Sequence, residues 1–116
     1  WGFMQLIKKR ALDIFQPDVQ WAGGISETTK ICALSSSAGI PVIPHSGNAP
    51  IAQHVWFSQN VAVVPLAEYL VKWNPWSQAH NKETLAPVGG YIHPTKKPGL
   101  GIELDEEKIA EKVYTA

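Results

Sequence analysis

Residues 11–18 have the sequence ALDIFQPD, and residues 41–45 have the sequence PVIPH. In both stretches an apolar run leads to an ionisable residue, Asp18 in the first and His45 in the second. Each run predicts a short buried strand that ends just before that residue. Because reactive groups in parallel α/β folds collect at the carboxyl ends of strands, the two stretches point to a fold and to a site at the same time.

Three strands are predicted in all. They lie at 11–17, with Ile14 and Phe15 at the centre, at 41–44, and at 62–70, where Glu68 is near the end. A helix precedes each strand. An apolar stripe at helical spacing predicts the first helix at 2–10, and its members are Phe3, Leu6, Ile7 and Ala11.

Capping residues place the other helices. Ser26 as N-cap, with Glu27 in the first turn, predicts a helix at 26–38 that Gly39 ends, and its inward residues are Ile31, Leu34 and Ala38. Pro50 predicts a helix at 50–59, since proline suits a first turn. The alternation of helix and strand predicts an α/β fold with parallel strands and right-handed crossovers.

The remainder of the chain has a different character. Prolines and glycine pairs interrupt residues 73–101, and the predicted structure there is an extended return segment laid over another surface. An acidic start followed by lysines predicts a last short helix at 103–112. We therefore divide the chain into residues 1–72, which hold the β/α units, and residues 73–116, which hold the return segment.

Composition excludes several classes of protein. The 116 residues are 45% apolar and carry ten acidic and ten basic side chains, which predicts one globular domain. Zero net charge argues against a nucleic-acid binder. The sequence contains neither a membrane-spanning apolar stretch nor a signal segment, so no membrane partner and a cytoplasmic location are expected. The single cysteine, Cys32, excludes an internal disulfide, and we expect it in the core.

The strand ends supply the candidate catalytic residues, Asp18, His45 and Glu68. A carboxylate can orient an imidazole, the imidazole can move a proton near neutral pH, and a second carboxyl can stabilise a developing oxyanion. Each residue also has a structural explanation: Asp18 as a turn residue, His45 as a satisfied half-buried histidine, and Glu68 as a solvent-facing residue of an edge strand. Their joint placement at successive strand ends favours the catalytic interpretation.

Other residues carry weaker functional patterns. Trp21 lies close to the first strand end and is a candidate pocket residue. His54 suits a surface or packing role, and His80 and His93 lie in the return segment without spaced metal-ligand partners. Gly23 and Gly24 before a helix lack the full glycine fingerprint of a phosphate-binding loop and are explained by a tight turn.

A family resemblance is carried by three of these stretches. Residues 13–18 with Trp21, Gly23, Gly24 and Glu27 resemble the sixth-strand region of the enolase superfamily, mandelate racemase branch. Residues 41–45 resemble the seventh strand and residues 65–70 the eighth. The sequence is most similar to the L-rhamnonate dehydratase type. The resemblance implies the last three β/α units of a (β/α)₈ TIM barrel, followed by the C-terminal return segment.

The resemblance also implies roles for these residues. Asp18 matches the aspartate of an Asp–His dyad, His45 the dyad histidine that takes the proton, and Glu68 the glutamate that touches the substrate carboxylate. His45, Glu68, Trp21 and Ser46 are the expected substrate-binding residues. Ser46 stands where the rhamnonate type has glycine, and the stretch from His45 to Glu68 is longer than expected, which leaves the particular sugar acid open.

The implied activity is a Mg²⁺-dependent acid-sugar dehydratase that gives a 2-keto-3-deoxy acid. The metal ligands of the family lie on earlier strands, so none is expected in this chain, and we expect the chain alone to be inactive. The chain begins at Trp1 inside a predicted helix, and we expect it to be the C-terminal part of a homo-oligomeric enzyme. Two alternatives stay open: a racemase, an epimerase or another acid-sugar dehydratase of the same superfamily, and a small α/β binding module without catalysis.

Overall fold

The computed structural model describes residues 1–109. Four α-helices follow one another: α1 (Gly2–Lys8), α2 (Gly24–Ser37), α3 (Ala49–Trp56) and α4 (Trp73–Ser77). A 3₁₀-helix at Glu106–Lys108 is the only helical turn within the described part of the predicted helix at 103–112, and Ala110–Lys112 lie outside the described residues. Strand pairing among residues 1–109 takes the form of isolated bridges.

Helix α1 ends at Lys8, two residues before the predicted end at Arg10. Arg10 adopts a left-handed conformation with φ +48°, its N–H donates to Ile7 O at 3.0 Å, and the N–H of Ala11 donates to Leu6 O at 3.1 Å. These two bonds satisfy the last carbonyls of the helix in the manner of a Schellman motif. Ala11 therefore leaves the helix and is exposed, which corrects its predicted place in the apolar stripe.

Helix α2 begins at Gly24 with Gly23 as N-cap, so the prediction of Ser26 as N-cap is wrong. The chain turns early because Ala22 N–H donates to Asp18 O at 2.7 Å and Gly24 N–H donates to Val19 O at 3.0 Å. Gly23, with φ +99°, tolerates the left-handed conformation that this turn requires. Glu27 in the first turn is confirmed.

The end of α2 was predicted closely. Gly39 has φ +69°, its N–H donates to Ser36 O at 3.1 Å, and the N–H of Ile40 donates to Ser35 O at 3.0 Å. This is the glycine-ended Schellman motif. Ala38 is exposed, however, and does not face inward as predicted. Helix α3 has Pro50 in its first turn, as predicted, but ends at Trp56 and not at Gln59.

Gly39→Ala tests this helix end. A Cβ added at Gly39 meets nothing within 4 Å, so the cost is the left-handed backbone itself. We expect the free energy of unfolding to fall by about 1–2 kcal/mol in a urea titration. Gly2→Ala is the matched control, because it also has open space but no positive φ, and it should leave stability unchanged or slightly raised. Equal effects of the two substitutions would contradict this account.

The first two predicted strands pair in parallel, as expected. Phe15 bridges Val42, and Asp18 bridges His45. Three backbone bonds join them: Phe15 N–H to Pro41 O at 3.0 Å, Ile43 N–H to Phe15 O at 2.9 Å, and His45 N–H to Pro17 O at 3.0 Å. The register puts the two ionisable strand ends side by side.

The third predicted strand, at 62–70, is not formed in the described structure. Asn60 turns the chain instead, because its carbonyl accepts from the N–H groups of Val63 and Val64 at 2.8 and 2.9 Å. One backbone bond, from Val42 N–H to Val63 O at 2.8 Å, ties this segment to the second strand. Residues 64–70 then run without regular structure, carrying Glu68 past the end of the second strand.

The core lies between the paired segments and helices α2 and α3. Its buried residues are Phe15, Val19, Cys32, Val42, Ala49, Ala52, Val55, Trp56 and Val64, and Phe3, Leu6 and Ile7 of α1 pack on it. Ile14 is 45% exposed because side chains along an extended segment alternate, so pairing it with Phe15 as a buried centre was wrong. Cys32 is buried as predicted, and burial raises the pKa of its thiol.

The segment after α4 packs back onto α3. Thr95 N–H donates to Gln53 Oε1 at 2.9 Å, and a tight turn through Gly89 and Gly90 is closed by two bonds between Val88 and Tyr91. An ion pair joins Lys82 and Glu103, which raises the pKa of the lysine and lowers that of the glutamate. Within residues 1–109, none of the helices has the length and apolar character of a membrane span.

Candidate active site

The three candidate residues meet at one end of the paired segments. The parallel bridge puts Asp18 beside His45, and the segment after the Asn60 turn brings Glu68 to the other side of the imidazole. The side chains are 15%, 43% and 25% exposed for Asp18, His45 and Glu68, respectively. The imidazole is therefore accessible while both carboxylates are mostly shielded.

Glu68 makes the shortest contact with the histidine. Its Oε2 lies 2.7 Å from His45 Nδ1 and also accepts the Ser46 N–H at 2.9 Å. Its Oε1 is held only by Gln16 Nε2 at 3.4 Å. When Glu68 is ionised it only accepts hydrogen bonds, and the contact then assigns the proton to Nδ1 of His45. In the neutral ring, Nε2 is then the atom with a free lone pair.

Asp18 is both a turn residue and a neighbour of the imidazole, which are the two positions considered for it from the sequence. Its Oδ1 accepts from the N–H groups of Gln20 and Trp21 at 2.8 and 3.1 Å, which is the turn role. Its Oδ2 lies 4.0 Å from His45 Nε2, an ion-pair distance that is too long for a hydrogen bond. Its contact with the ring is therefore electrostatic, and the hydrogen bond to the ring comes from Glu68.

A cavity of about 640 Å³ opens at Asp18 and His45. Its wall is mainly apolar, with three indoles, and the residues that line it besides Asp18 and His45 are Gln20, Trp21, Gly47, Asn48, Leu70, Trp73, Trp76 and Ser77. The rings of Trp73 and Trp76 meet edge to face, with centroids 5.8 Å apart. Among the described residues that line the cavity, none is Lys or Arg. Concave sites with an apolar wall and few polar groups suit small ligands.

The expected substrate-binding residues occupy different places. Trp21 is 89% exposed and lines the cavity, and His45 lies within it. Glu68 faces the imidazole. Ser46 is 1% exposed, and its hydroxyl has no hydrogen-bond partner among residues 1–109. Ser46 therefore meets the site through its backbone N–H, which donates to Glu68.

Sequence reasoning missed the contribution of α4. Trp73 and Trp76 line the cavity, and Ser77 Oγ donates to Gly47 O at 2.7 Å. The available pattern was the WNPW sequence, in which two indoles three positions apart share a helix face. Five residues with an internal proline gave no helical periodicity to detect.

The remaining candidates lie away from this cavity. His54 is half-buried on α3, with no hydrogen-bond partner for Nε2 in the described part of the chain, and His80 and His93 are exposed. Gly23 and Gly24 serve the turn into α2. Between Trp1 and Ile109 the structure brings together no group of three or more His, Cys, Asp or Glu side chains that could hold a metal ion.

Comparison with known proteins supplies the family. The profile of the enolase C-terminal domain-like family matches residues 1–108. The chain belongs to this family. A rhamnonate dehydratase from Gibberella zeae, solved in complex with Mg, is 33% identical, with a TM-score of 0.79 over 92% of this chain and 28% of that one. The predicted superfamily, and the predicted likeness to rhamnonate dehydratases, are confirmed.

Two further relatives of this enolase-type domain have other substrates or names. An L-talarate dehydratase from Polaromonas sp. JS666, solved with Mg and L-glucarate, is 27% identical, with a TM-score of 0.72 over 91% of this chain and 28% of that one. A mandelate racemase/muconate lactonizing enzyme from the same source is 27% identical, with a TM-score of 0.71 over 90% and 27%. The chain spans less than a third of the length of these relatives.

The family membership settles the coarse fold. The described residues have an enolase C-terminal domain-like fold, in which parallel pairing of the first two strand segments is retained. The relatives include acid-sugar dehydratases and a racemase, so the domain belongs to an enzyme family. A binding module outside such a family, one of the two alternatives from the sequence, is not supported.

Proposed function

We propose that this chain carries the acid–base residues of an acid-sugar dehydratase of the L-rhamnonate type. The observation that carries the proposal is His45, held at Nδ1 by Glu68 at 2.7 Å and facing a cavity of about 640 Å³. A rhamnonate dehydratase is 33% identical to this chain, which favours this substrate type over the talarate type, for which two relatives are 27% and 29% identical. In the intact protein, the chain would form the last three β/α units of a (β/α)₈ barrel.

The reaction needs one group that first takes a proton and then returns it. Nε2 of His45 removes the proton from the carbon beside the substrate carboxylate, and the electrons of the broken C–H bond form an enediolate. The β-hydroxyl then leaves as water with the proton from the imidazolium, as the C–O bond breaks. The resulting enol becomes a 2-keto-3-deoxy acid. Such proton transfer by a positioned histidine gives about 10²–10⁴-fold in rate.

The two carboxylates, Glu68 and Asp18, have different roles in the proposed reaction. Glu68 keeps the proton on Nδ1, so that Nε2 is the base. Asp18, 4.0 Å from Nε2, stabilises the imidazolium that forms after proton removal. Oε1 of Glu68 has one long hydrogen bond, from Gln16 at 3.4 Å, and can accept a second one from a hydroxyl group of the substrate. The contact with the substrate carboxylate that the family resemblance implies stays a prediction.

The described residues, 1–109, do not form a metal site. Magnesium prefers octahedral oxygen coordination anchored by carboxylates, and residues 1–109 bring together no such cluster. The rhamnonate and talarate dehydratases were both solved with Mg. We therefore propose that the full-length enzyme uses Mg²⁺ bound by residues outside the described part of this chain, and no step above is assigned to the metal.

A homo-oligomeric full-length enzyme, a cytoplasmic location and the division at residue 72 remain predictions.

The test is an assay of the complete protein encoded by the reading frame that contains this chain. It is supplied with Mg²⁺ and a panel of acid sugars in D₂O. We expect a 2-keto-3-deoxy acid from L-rhamnonate, carrying deuterium at the carbon that lost the hydroxyl. Turnover of none of the acid sugars would contradict the proposal.

The second candidate is a racemase or epimerase of the same branch. The observation that favours it is the 27% identity to a mandelate racemase/muconate lactonizing enzyme. Such an enzyme needs a second base on the opposite face of the substrate. In the same D₂O assay it would place deuterium beside the carboxylate of recovered acid without loss of water.

A further inference from the structure

Asn74 is a buried amide that joins helix α4 to the loop after His45. The residue is 0% exposed. Its Oδ1 accepts the N–H of Ala49 at 2.6 Å, and its Nδ2 donates to Ser46 O at 2.8 Å. Ser46, just after His45, and Ala49, the first residue of α3, both lie more than 20 residues earlier in the chain. One side chain therefore closes the loop between His45 and helix α3 at both of its ends.

Ser46 links this buried amide to the candidate site. Its N–H donates to Glu68 Oε2 at 2.9 Å, while its carbonyl accepts from Asn74 at 2.8 Å. The same Oε2 lies 2.7 Å from His45 Nδ1. The peptide units around Ser46 are thus fixed between Glu68 on one side and Asn74 on the other, with His45 as the preceding residue. A shift of the Ser46 backbone would move the imidazole relative to Glu68.

Asn74 also replaces a missing helix cap. Asn48 is the N-cap residue of α3, but its side chain forms no cap bond, and its Oδ1 has no partner among residues 1–109. The orphan N–H of Ala49 is satisfied by Asn74 instead. Because these groups are buried, loss of the amide would leave a donor and an acceptor without partners. Asn74 therefore holds both ends of the loop, in addition to the bond from Ser77 Oγ to Gly47 O at its middle.

We propose that Asn74 is a positioning residue for His45: it fixes Ser46 so that the Ser46 N–H and His45 Nδ1 share Glu68 Oε2. Asn74 itself does not touch the imidazole. It acts on the reaction through the geometry of the loop, and its kinetic effect therefore rests on the proposed function. The effect on the imidazole itself is independent of any substrate.

Gln78 supplies a matched control on the same helix surface. It follows Asn74 by one turn and is also 0% exposed. Its side chain likewise accepts one backbone N–H and donates to one backbone carbonyl, here both of Leu85, at 2.7 Å and 3.1 Å. Its partner lies in the return segment and not in the His45 loop. Replacement of either amide by leucine removes two hydrogen bonds of a fully buried side chain; those of Asn74 are buried and those of Gln78 part-buried, so we expect a comparable, somewhat smaller loss of stability in Gln78→Leu.

The first measurement is the ¹⁵N NMR signature of the His45 ring in the complete protein and its variants, with selectively labelled histidine. We expect the Nδ1–H form in the parent and in Gln78→Leu, and a mixture of tautomers in Asn74→Leu. Asn74→Asp keeps the acceptor for Ala49 and the side-chain volume but loses the donor to Ser46, and we expect a smaller shift in the same direction. If Asn74→Leu does not fold, Asn74→Asp alone tests whether Asn74 positions the His45 ring. An unchanged His45 signature in Asn74→Asp and in any folded Asn74→Leu would overturn the proposal.

The second measurement is kinetic and uses the complete protein. We expect Asn74→Leu to lower kcat about 10- to 100-fold, with KM changed less than about threefold, because a small misplacement of a catalytic group affects the chemical step. Gln78→Leu should leave kcat near the parent value. Equal losses in the two variants would show a merely structural role. If the parent protein dehydrates no acid sugar, the proposed function fails, while the NMR signature still tests Asn74.

Discussion

His45→Asn is expected to lower kcat/KM for dehydration by about 10²–10⁴-fold in the complete protein. Asparagine keeps a polar side chain of similar reach but cannot take and return a proton near neutral pH. Glu68 lies 2.7 Å from Nδ1 of the histidine, and none of the other described residues that line the cavity is a histidine, so no second imidazole is placed to substitute for it. Steady-state kinetics with the acid sugar that the parent turns over will give the value.

His80→Asn is the matched control for this substitution. His80 is exposed in the return segment and does not line the cavity. We expect its kcat/KM to stay near the parent value. Exchange of the substrate proton with D₂O separates the two steps: His45→Asn should stop exchange as well as dehydration. Retained exchange in His45→Asn would mean that another group removes the proton and would remove His45 from its proposed role.

We expected ionisable residues at the carboxyl ends of parallel strands to lie side by side, and this holds for the first two predicted strands. Asp18 and His45 each follow a buried proline after an apolar run, and the parallel bridge between them places them side by side. Glu68 reached the same place without its predicted strand. Val63 and Val64, which were predicted to begin that strand, instead donate their N–H groups to the Asn60 carbonyl in a turn. Pro65 follows directly, and because it lacks an N–H it cannot donate a hydrogen bond to a neighbouring strand. The meeting of these three side chains was thus predictable from residue type and order, while the loss of the third strand was not.

Contacts that are remote in sequence explain what the sequence did not reveal. Gly23 replaced Ser26 as the N-cap of α2 because the Asp18 carbonyl and side chain turn residues 20–22 early. Asn74 lies 28 residues after Ser46 and holds its carbonyl, a pairing that no local pattern encodes. The same holds for the aromatic cavity wall, which brings together Trp21 and the two indoles of α4.

Phe15→Ala is the substitution with the largest expected effect on stability. Phe15 is 0% exposed, and its ring meets Phe3 of α1 edge to face with centroids 5.1 Å apart. Truncation removes these contacts and leaves a cavity, at a cost of about 3–5 kcal/mol. Domains of this size are stable by about 5–15 kcal/mol, so the variant loses a large fraction of its folding free energy. A urea titration followed by tryptophan fluorescence measures the loss.

Ile14→Ala is the control, because it removes an apolar side chain from the neighbouring residue on the opposite face of the same extended segment. Ile14 is 45% exposed, and its truncation should cost less than about 1 kcal/mol. The backbone of Phe15 holds the second strand through Pro41 and Ile43, and the same pairing continues to Asp18 and His45. Phe15→Ala should therefore also loosen the Asp18–His45 bridge, seen as faster hydrogen exchange of the His45 N–H. Equal destabilisation by the two substitutions would mean that Phe15 is not the residue on which the pairing and the site depend.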